Sequence, residues 1–290
     1  MNIKTITSLI LAVVLIPILF FGGIPIIVLA VILSTVGSYE LVKMHCDKRG
    51  LNKKYKYVMP LFTTIIALSI GLKLLGLDIL LEDILFIFIS IVICLLIISI
   101  LNKDIMMTDS FYFISSIIYP GIFIMLLVSS RMINKIGDVE NNYIGLLLLG
   151  YLAVTSFSTD IFAQVFGLKF GRHRLCPDIS PKKSVEGAIS GTVFGTVLGS
   201  LTLILGSYFI GFSLFGLQLI WDIVLIVIMS FFLSIISQLG DLIASRLKRE
   251  YGIKDYGNIF PGHGGVMDRF DSLSLVGTTF YIILMLLGVL

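Results

Sequence analysis

Between Asp241 and Asp271 the sequence reads DLIASRLKREYGIKDYGNIFPGHGGVMDRFD. These 31 positions hold 10 of the chain's 39 charged residues (21 Lys and Arg plus 18 Asp and Glu), together with His263 and five glycines. Ser245, Lys248 and Arg249 follow Asp241 at i+4, i+7 and i+8, so one carboxylate aligns with two cations along a single helical face. An ordinary snorkelling helix end would look much the same. Glycines at 252, 257, 262, 264 and 265 surround Pro261 and His263 and allow the backbone to approach a ligand closely. Asp268 and Asp271 then stand three apart at the start of a further helix, where free N–H groups and the helix dipole favour anions. As mere caps they would need no metal. Two carboxylates beside Arg269 and a Gly-His-Gly-Gly loop nonetheless suit a hard cation such as Mg²⁺, which takes one or two carboxylates and completes its shell with water and phosphate oxygens. If a helix hairpin brings Asp241 opposite Asp268, these two become the metal ligands. His263 has no partner at zinc spacing, and a structural role is its plainer reading.

The elements that must position these groups are apolar. Of the 290 residues, 57% are hydrophobic and 13% charged. Soluble domains carry about 25% charged residues, and the mean hydropathy here is +1.06. The expected fold class is therefore an all-α integral membrane protein. It should be a polytopic bundle of about nine transmembrane helices with cytoplasmic catalytic loops. The candidate spans fall at about 5–21, 24–43, 57–76, 80–101, 111–130, 143–166, 187–211, 218–240 and 272–290. Phe21-Gly22-Gly23 and Pro25 separate the first two, which should form a tight hairpin. The first span has Lys4 ahead of it but no small-residue cleavage site behind it, so it reads as retained rather than as a signal peptide. Across alternating loops, Lys and Arg divide 18 to 3, which sets the N-terminus in the cytoplasm and the C-terminus on the opposite side. The net charge of +3 mostly reflects that bias and says little about an anionic partner. The organisation expected is 1–142 as N-terminal transmembrane helices and 143–290 as a C-terminal catalytic region of one continuous membrane domain.

Cys46, Cys94 and Cys176 are scattered and odd in number, as reduced thiols would be. Gly187, Gly191, Gly195 and Gly199 recur every four residues, a spacing that favours close helix packing over a substrate groove and permits a dimer face. A second set of charged groups precedes this run. Asp160 lies in an apolar span, where a carboxylate is a functional candidate by default. Arg172, Ser180, Lys182 and Lys183 form a cluster suited to charge-assisted hydrogen bonds with phosphates. Positive-inside bias alone would also place cations here.

The segment Ser245-Arg-Leu-Lys248-Arg249, then Lys254-Asp255, Gly257, Phe260-Pro261, His263-Gly264-Gly265 and Asp268-Arg269-Phe270-Asp271 resembles the signature of phosphatidate cytidylyltransferases, also called CDP-diacylglycerol synthases. No defining position departs across these 27 residues. The upstream stretch is similar to the same family's pattern: Asp160 in the membrane, Gly171-Arg172, and Ser180-Pro-Lys-Lys-Ser184 followed by Glu186-Gly187. Ser184 stands for the usual Thr and keeps its hydroxyl. The segment Phe162–Phe166 departs, lacking the common Gly-Ala-Tyr run. The resemblance covers about residues 143–290. The N-terminal half matches only in being polytopic, and its basic loop Lys43–Lys56 is suited to anionic head groups.

The resemblance implies a nucleotidyltransferase dependent on Mg²⁺, with room for a second, monovalent cation. The phosphate of phosphatidate would attack the α-phosphorus of CTP, releasing pyrophosphate and leaving CDP-diacylglycerol for phospholipid synthesis. Asp241 and Asp268 would hold the metal, with Asp271 in its inner or outer coordination sphere. Lys248, Arg249 and Lys254 would neutralise the triphosphate, with Asp255 and His263 as further catalytic candidates. Arg172, Ser180, Lys182 and Lys183 would take lipid or nucleotide phosphate, with Ser245, Arg269 and Asp160 as further substrate-binding candidates. The backbone of Gly262–Gly265, Gly264 and Gly265 included, would close over the nucleotide. Expected partners are CTP, phosphatidate entering from the bilayer and membrane lipids, with no nucleic acid. The expected location is the inner membrane of a prokaryotic cell. Two rival readings are a CTP-dependent polyprenol or lipid kinase, which would release CDP, and a polytopic transporter. Ionisable groups gathered in two loops on one side argue against the transporter.

Overall fold

A computed structural model describes residues 13–260, 262 and 264–289. Pro261 and the candidate His263 lie outside the described residues, as does the start of the first expected span. Among the described residues, eight helices are long and apolar enough to cross a membrane. They are α1 (Gly23–Arg49), α2 (Tyr55–Leu74), α3 (Leu81–Leu101), α4 (Met107–Met132), α5 (Tyr143–Phe170), α6 (Val185–Ile210), α7 (Leu219–Glu250) and α8 (Met267–Leu286). The chain is thus an all-α, multi-pass membrane protein. Residues 13–21 are also helical, and that helix breaks at Gly22, whose φ of 64° is one that L side chains rarely adopt. α4 carries a π-helical turn at Ile118–Ile122, where Pro120 has no N–H for the regular ladder.

Boundaries differ from the hydropathy reading where polar residues keep helical phase. α7 runs on past the apolar stretch to Glu250, as the spacing of Asp241, Ser245, Lys248 and Arg249 requires. α8 starts five residues ahead of the expected 272, so Asp268 and Asp271 both lie inside it. The loop after α5 is more ordered than the sequence suggested. Beyond the short antiparallel pair β1 (Lys135–Ile136) and β2 (Val139–Glu140) ahead of α5, strand β3 (Arg174–Cys176) pairs antiparallel with β4 (Ser180–Ser184), matching Arg174 with Ser184 and Cys176 with Ser180. Ser184 ends that hairpin and caps α6, its Oγ accepting the Gly187 N–H at 3.1 Å.

The chain groups into two compact units, one taking the chain up to Val128 plus Tyr251–Phe270, the other Ser129–Glu250 plus Asp271–Leu290. In the first, Val42, Cys46, Tyr55, Met59, Ile66, Leu95, Phe113 and Ile117 form a buried core. In the second, α5 packs along α6 and α7 through small residues. A Cβ on Gly191 would come within 2.6 Å of the Thr159 carbonyl. On Gly195 and Gly199 it would overlap the hydroxyls of Thr159 and Thr155. The Gly-xxx-Gly face is thus a packing face, occupied by α5. Hydroxyls lace the same helices: Tyr151 Oη to Ser230 Oγ at 2.9 Å, Thr159 Oγ1 to Ser234 Oγ at 2.8 Å, and Ser156 Oγ to Ser237 Oγ at 2.9 Å. Among apolar helices such close backbone contact and hydroxyl pairing supply the association that hydrophobicity cannot.

Gly195→Ala is therefore expected to destabilise the protein by about 1–3 kcal/mol through overpacking. Gly150→Ala, where an added Cβ meets nothing within 4 Å, should leave stability unchanged. Thermal unfolding of the two variants in detergent checks both.

Candidate active site

In the second unit, four elements bring charged and amide side chains to a cavity of about 390 Å³. α5 brings Asp160 and Gln164, β4 brings Lys182 and Lys183, α7 brings Gln238 and Asp241, and α8 brings Asp271. The convergence has a local cause. α7 and α8 touch at Gly240, where a Cβ would lie 2.9 Å from Ser272 Cα and 3.0 Å from the Asp271 carbonyl. Only a glycine permits that approach, and it brings the neighbouring Asp241 and Asp271 to one cavity. Lys183 Nζ lies 2.5 Å from Asp241 Oδ2, while Asp241 Oδ1 accepts from Ser245 Oγ at 3.4 Å. Asp160 Oδ2 is 3.5 Å from Ser272 Oγ, and Asp271 Oδ1 accepts the Ser272 N–H at 2.8 Å. Gln238 donates to Thr192 Oγ1 at 2.8 Å and to the Ala188 carbonyl at 3.1 Å, which fixes its amide at the cavity wall.

The sequence candidates divide around this cavity. Asp160, Lys182, Lys183, Asp241 and Asp271 line it. Arg172 and Ser180 lie outside its lining; the Arg172 N–H instead donates to Glu186 Oε2 at 3.0 Å. Lys248 and Arg249 lie about two turns beyond Asp241 on α7. An apolar groove of about 510 Å³ runs alongside between α6 and α7, lined by residues such as Val185, Ile189, Val193, Phe231 and Ile235. Leu175, Ala188 and Gln238 line both the cavity and the groove, so the charged space and the apolar groove share a wall.

In the first unit, the signature loop Tyr251–Val266 folds about two carboxylates. Asp268 Oδ2 accepts the N–H groups of Tyr256 at 2.8 Å and Gly265 at 3.0 Å. The Phe260 N–H donates to the Gly264 carbonyl at 2.9 Å. Gly264 sits at φ +85°, and a Cβ there would lie 2.9 Å from Asp268 Oδ2. The second carboxylate, Glu40, was not a sequence candidate. It is 3% exposed and accepts the N–H groups of Val266 and Met267 at 3.0 Å each. A usable signal existed: Glu40 is a lone carboxylate within an apolar span, the same rule that singled out Asp160. Lys254 and Asp255 are exposed on this loop, and Asp255 lines a cavity of about 280 Å³ with Lys43, Asp47, Lys48 and Tyr251. Arg269 is exposed in the first turn of α8.

Among the described residues, no group of three or more His, Cys, Asp or Glu side chains forms a metal site by itself. Mg²⁺ does not require such a cage, since it binds through one or two carboxylates together with substrate phosphates and water. Asp160, Asp241 and Asp271 each bring carboxylate oxygens to the cavity lining, the donor type that such an ion takes one or two at a time. The three cysteines are free thiols.

A family model for cytidylyltransferases matches residues 2–287. Phosphatidate cytidylyltransferase of Bacillus subtilis is 39% identical over 142 residues, about half of each chain (49% of both). The Staphylococcus haemolyticus protein of that name is 31% identical over 276 residues, covering 95% of this chain and 96% of the relative. That of Staphylococcus aureus strain COL is 30% identical over 277 residues with the same coverage. With the match running through both loops and every span, the chain belongs to the cytidylyltransferase family.

Proposed function

We propose that this chain is a phosphatidate cytidylyltransferase of a bacterial inner membrane. It transfers CMP from CTP to phosphatidate and releases pyrophosphate. The observation that carries the reading is a charged cavity that shares a wall with an apolar groove. An amphiphile with a phosphate head fits that pairing better than a solute wholly soluble in water or a polyprenol with a lone hydroxyl. In the reaction a phosphate oxygen of the lipid bonds to the α-phosphorus of CTP as the bond to the β-phosphate oxygen breaks. The nucleophile is already anionic, so no strong base is needed. What the protein supplies is alignment and neutralisation of charge.

Lys183 and Lys182 reach phosphate oxygens from β4, and Asp241 holds the Lys183 ammonium on the cavity side. Gln238, anchored on α6, offers a fixed amide at the polar–apolar boundary. Asp241 is the residue we assign to Mg²⁺, with Asp271 and Asp160 near enough to share the cavity. Bound there, the ion would offset the negative charge of the nucleotide phosphates. The catalytic loops face the cytoplasm, where CTP is available.

Purified protein given phosphatidate and CTP labelled at the α-phosphorus is expected to place label in lipid and release equimolar pyrophosphate, only with Mg²⁺ present. Release of CDP without labelled lipid would support the kinase reading instead. Lys183→Met should lower kcat/KM by about 100-fold, the scale of removing one donor to transition-state charge.

Asp268 separates two roles. The Tyr256 and Gly265 N–H groups meet one oxygen, Oδ2, which an asparagine carbonyl can replace. Asp268→Asn is therefore expected to keep the loop folded yet lose turnover if the negative charge is needed for Mg²⁺. Asp268→Ala should lose both. Wild-type turnover in Asp268→Asn would assign Asp268 to loop architecture alone.

A further inference from the structure

Resting on the cytidylyl transfer proposed above, we infer that Glu40 is a positioning residue for that reaction, setting the signature loop from a helix more than 200 residues earlier in the chain. Three kinds of observation meet at this side chain. Its two oxygens take one N–H each, Val266 on Oε1 and Met267 on Oε2, both at 3.0 Å. These N–H groups belong to the start of α8, which lacks partners of its own there and carries positive partial charge. Glu40 is buried, and a buried carboxylate holds its place only when donors satisfy it.

Two glycines of the signature owe their identity to the same carboxylate. A Cβ on Gly257 would overlap Glu40 Oε1, with Glu40 Cδ at 2.8 Å and Cγ at 3.2 Å. A Cβ on Gly265 would overlap Oε1 as well, with Oε2 at 2.5 Å and Cδ at 2.6 Å. In both cases the three nearest atoms all belong to Glu40. The loop therefore wraps this side chain from two sides.

The other end of the loop is tied to the same helix. Tyr251 Oη lies 2.7 Å from His45 Nδ1, and His45 Nε2 lies 2.8 Å from Asp109 Oδ1. An ionised Asp109 only accepts, so in the neutral imidazole Nε2 carries the proton and Nδ1 accepts from the tyrosine hydroxyl. Arg49 Nε reaches Asp109 Oδ1 at 3.1 Å, and Lys48 Nζ stands 4.7 Å from the centre of the Tyr251 ring. α1 thus clamps the loop at both ends, with Glu40 at the end that leads into Asp268 and α8.

Glu40→Gln keeps the shape but replaces one acceptor by a donor facing an N–H. The full-length chain in detergent is assayed for kcat and for the KM of each substrate, beside Glu40→Asp, Gly265→Ala and the double variant Gly265→Ala/Glu40→Asp. Glu40→Gln is expected to lower kcat/KM for CTP about 10–100-fold, the cost of a displacement remote from the chemistry, and to leave the KM for phosphatidate unchanged. Shortening the side chain should make the double variant more active than Gly265→Ala alone, because the added methyl regains its space. Hydrogen exchange should quicken at residues 256–267 in Glu40→Gln and stay unchanged in Tyr143–Phe170. Wild-type kinetics and exchange in Glu40→Gln, or absence of rescue with equal loss for both substrates, would overturn the assignment. The exchange result holds whether or not the parent chain transfers CMP, so a failed cytidylyl transfer assay remains distinguishable from a failed role for Glu40.

Discussion

A charge in an apolar helical protein has to be met by another group of the same protein, and most of this chain's polar geometry follows from that requirement. Leaving a buried carboxylate unpaired costs several kcal/mol, whereas each hydrogen bond to it returns about 1.5–3 kcal/mol. Glu40 and Asp268 each meet the requirement with two backbone N–H groups of one loop. The satisfaction runs both ways. The carboxylates gain donors, and a glycine-rich backbone that could take many conformations is held in one.

The second unit solves a different problem with a different device. Its helices present few charges to one another, so contact depends on how closely the backbones approach. Gly187, Gly191, Gly195 and Gly199 allow α5 and α6 to come together, and serine and threonine hydroxyls tie α5 to α7. Gly240 does the same for α7 and α8. Rigid packing of this kind brings Asp160, Lys183, Asp241 and Asp271 to one cavity from four separate elements. Side chains on a mobile loop would not hold that spacing.

The placement of this cavity suits a reaction between a lipid and a soluble nucleotide. Its wall is charged on the side of β4, and it adjoins an apolar groove on the side of α6 and α7. The β3–β4 hairpin matters because it turns two lysines toward the carboxylates, where one of them pairs with Asp241. A cation placed so is held ready for phosphate, and the nearby aspartates keep the empty cavity from carrying a large positive charge.

The membrane helices were legible in the sequence because about 20 apolar residues in a row have few other stable fates. The polar extension of α7 was legible too, since Asp241, Ser245, Lys248 and Arg249 repeat at helical spacing. The signature residues stood out because charge and glycine are rare in the rest of the chain. What the sequence did not disclose was which distant backbone groups each carboxylate meets. Glu40 was one acidic residue among apolar neighbours, and nothing local links it to backbone groups more than 200 residues away. Asp268 read as a metal ligand, and nothing local showed that its Oδ2 also accepts the N–H groups of Tyr256 and Gly265. The β3–β4 hairpin was hidden because its strands are short and polar, without the alternation that marks a half-buried strand. Hydrophobicity and helical period are properties of neighbouring residues and survive in the sequence. Hydrogen bonds and excluded volume between distant segments arise only once the chain has folded.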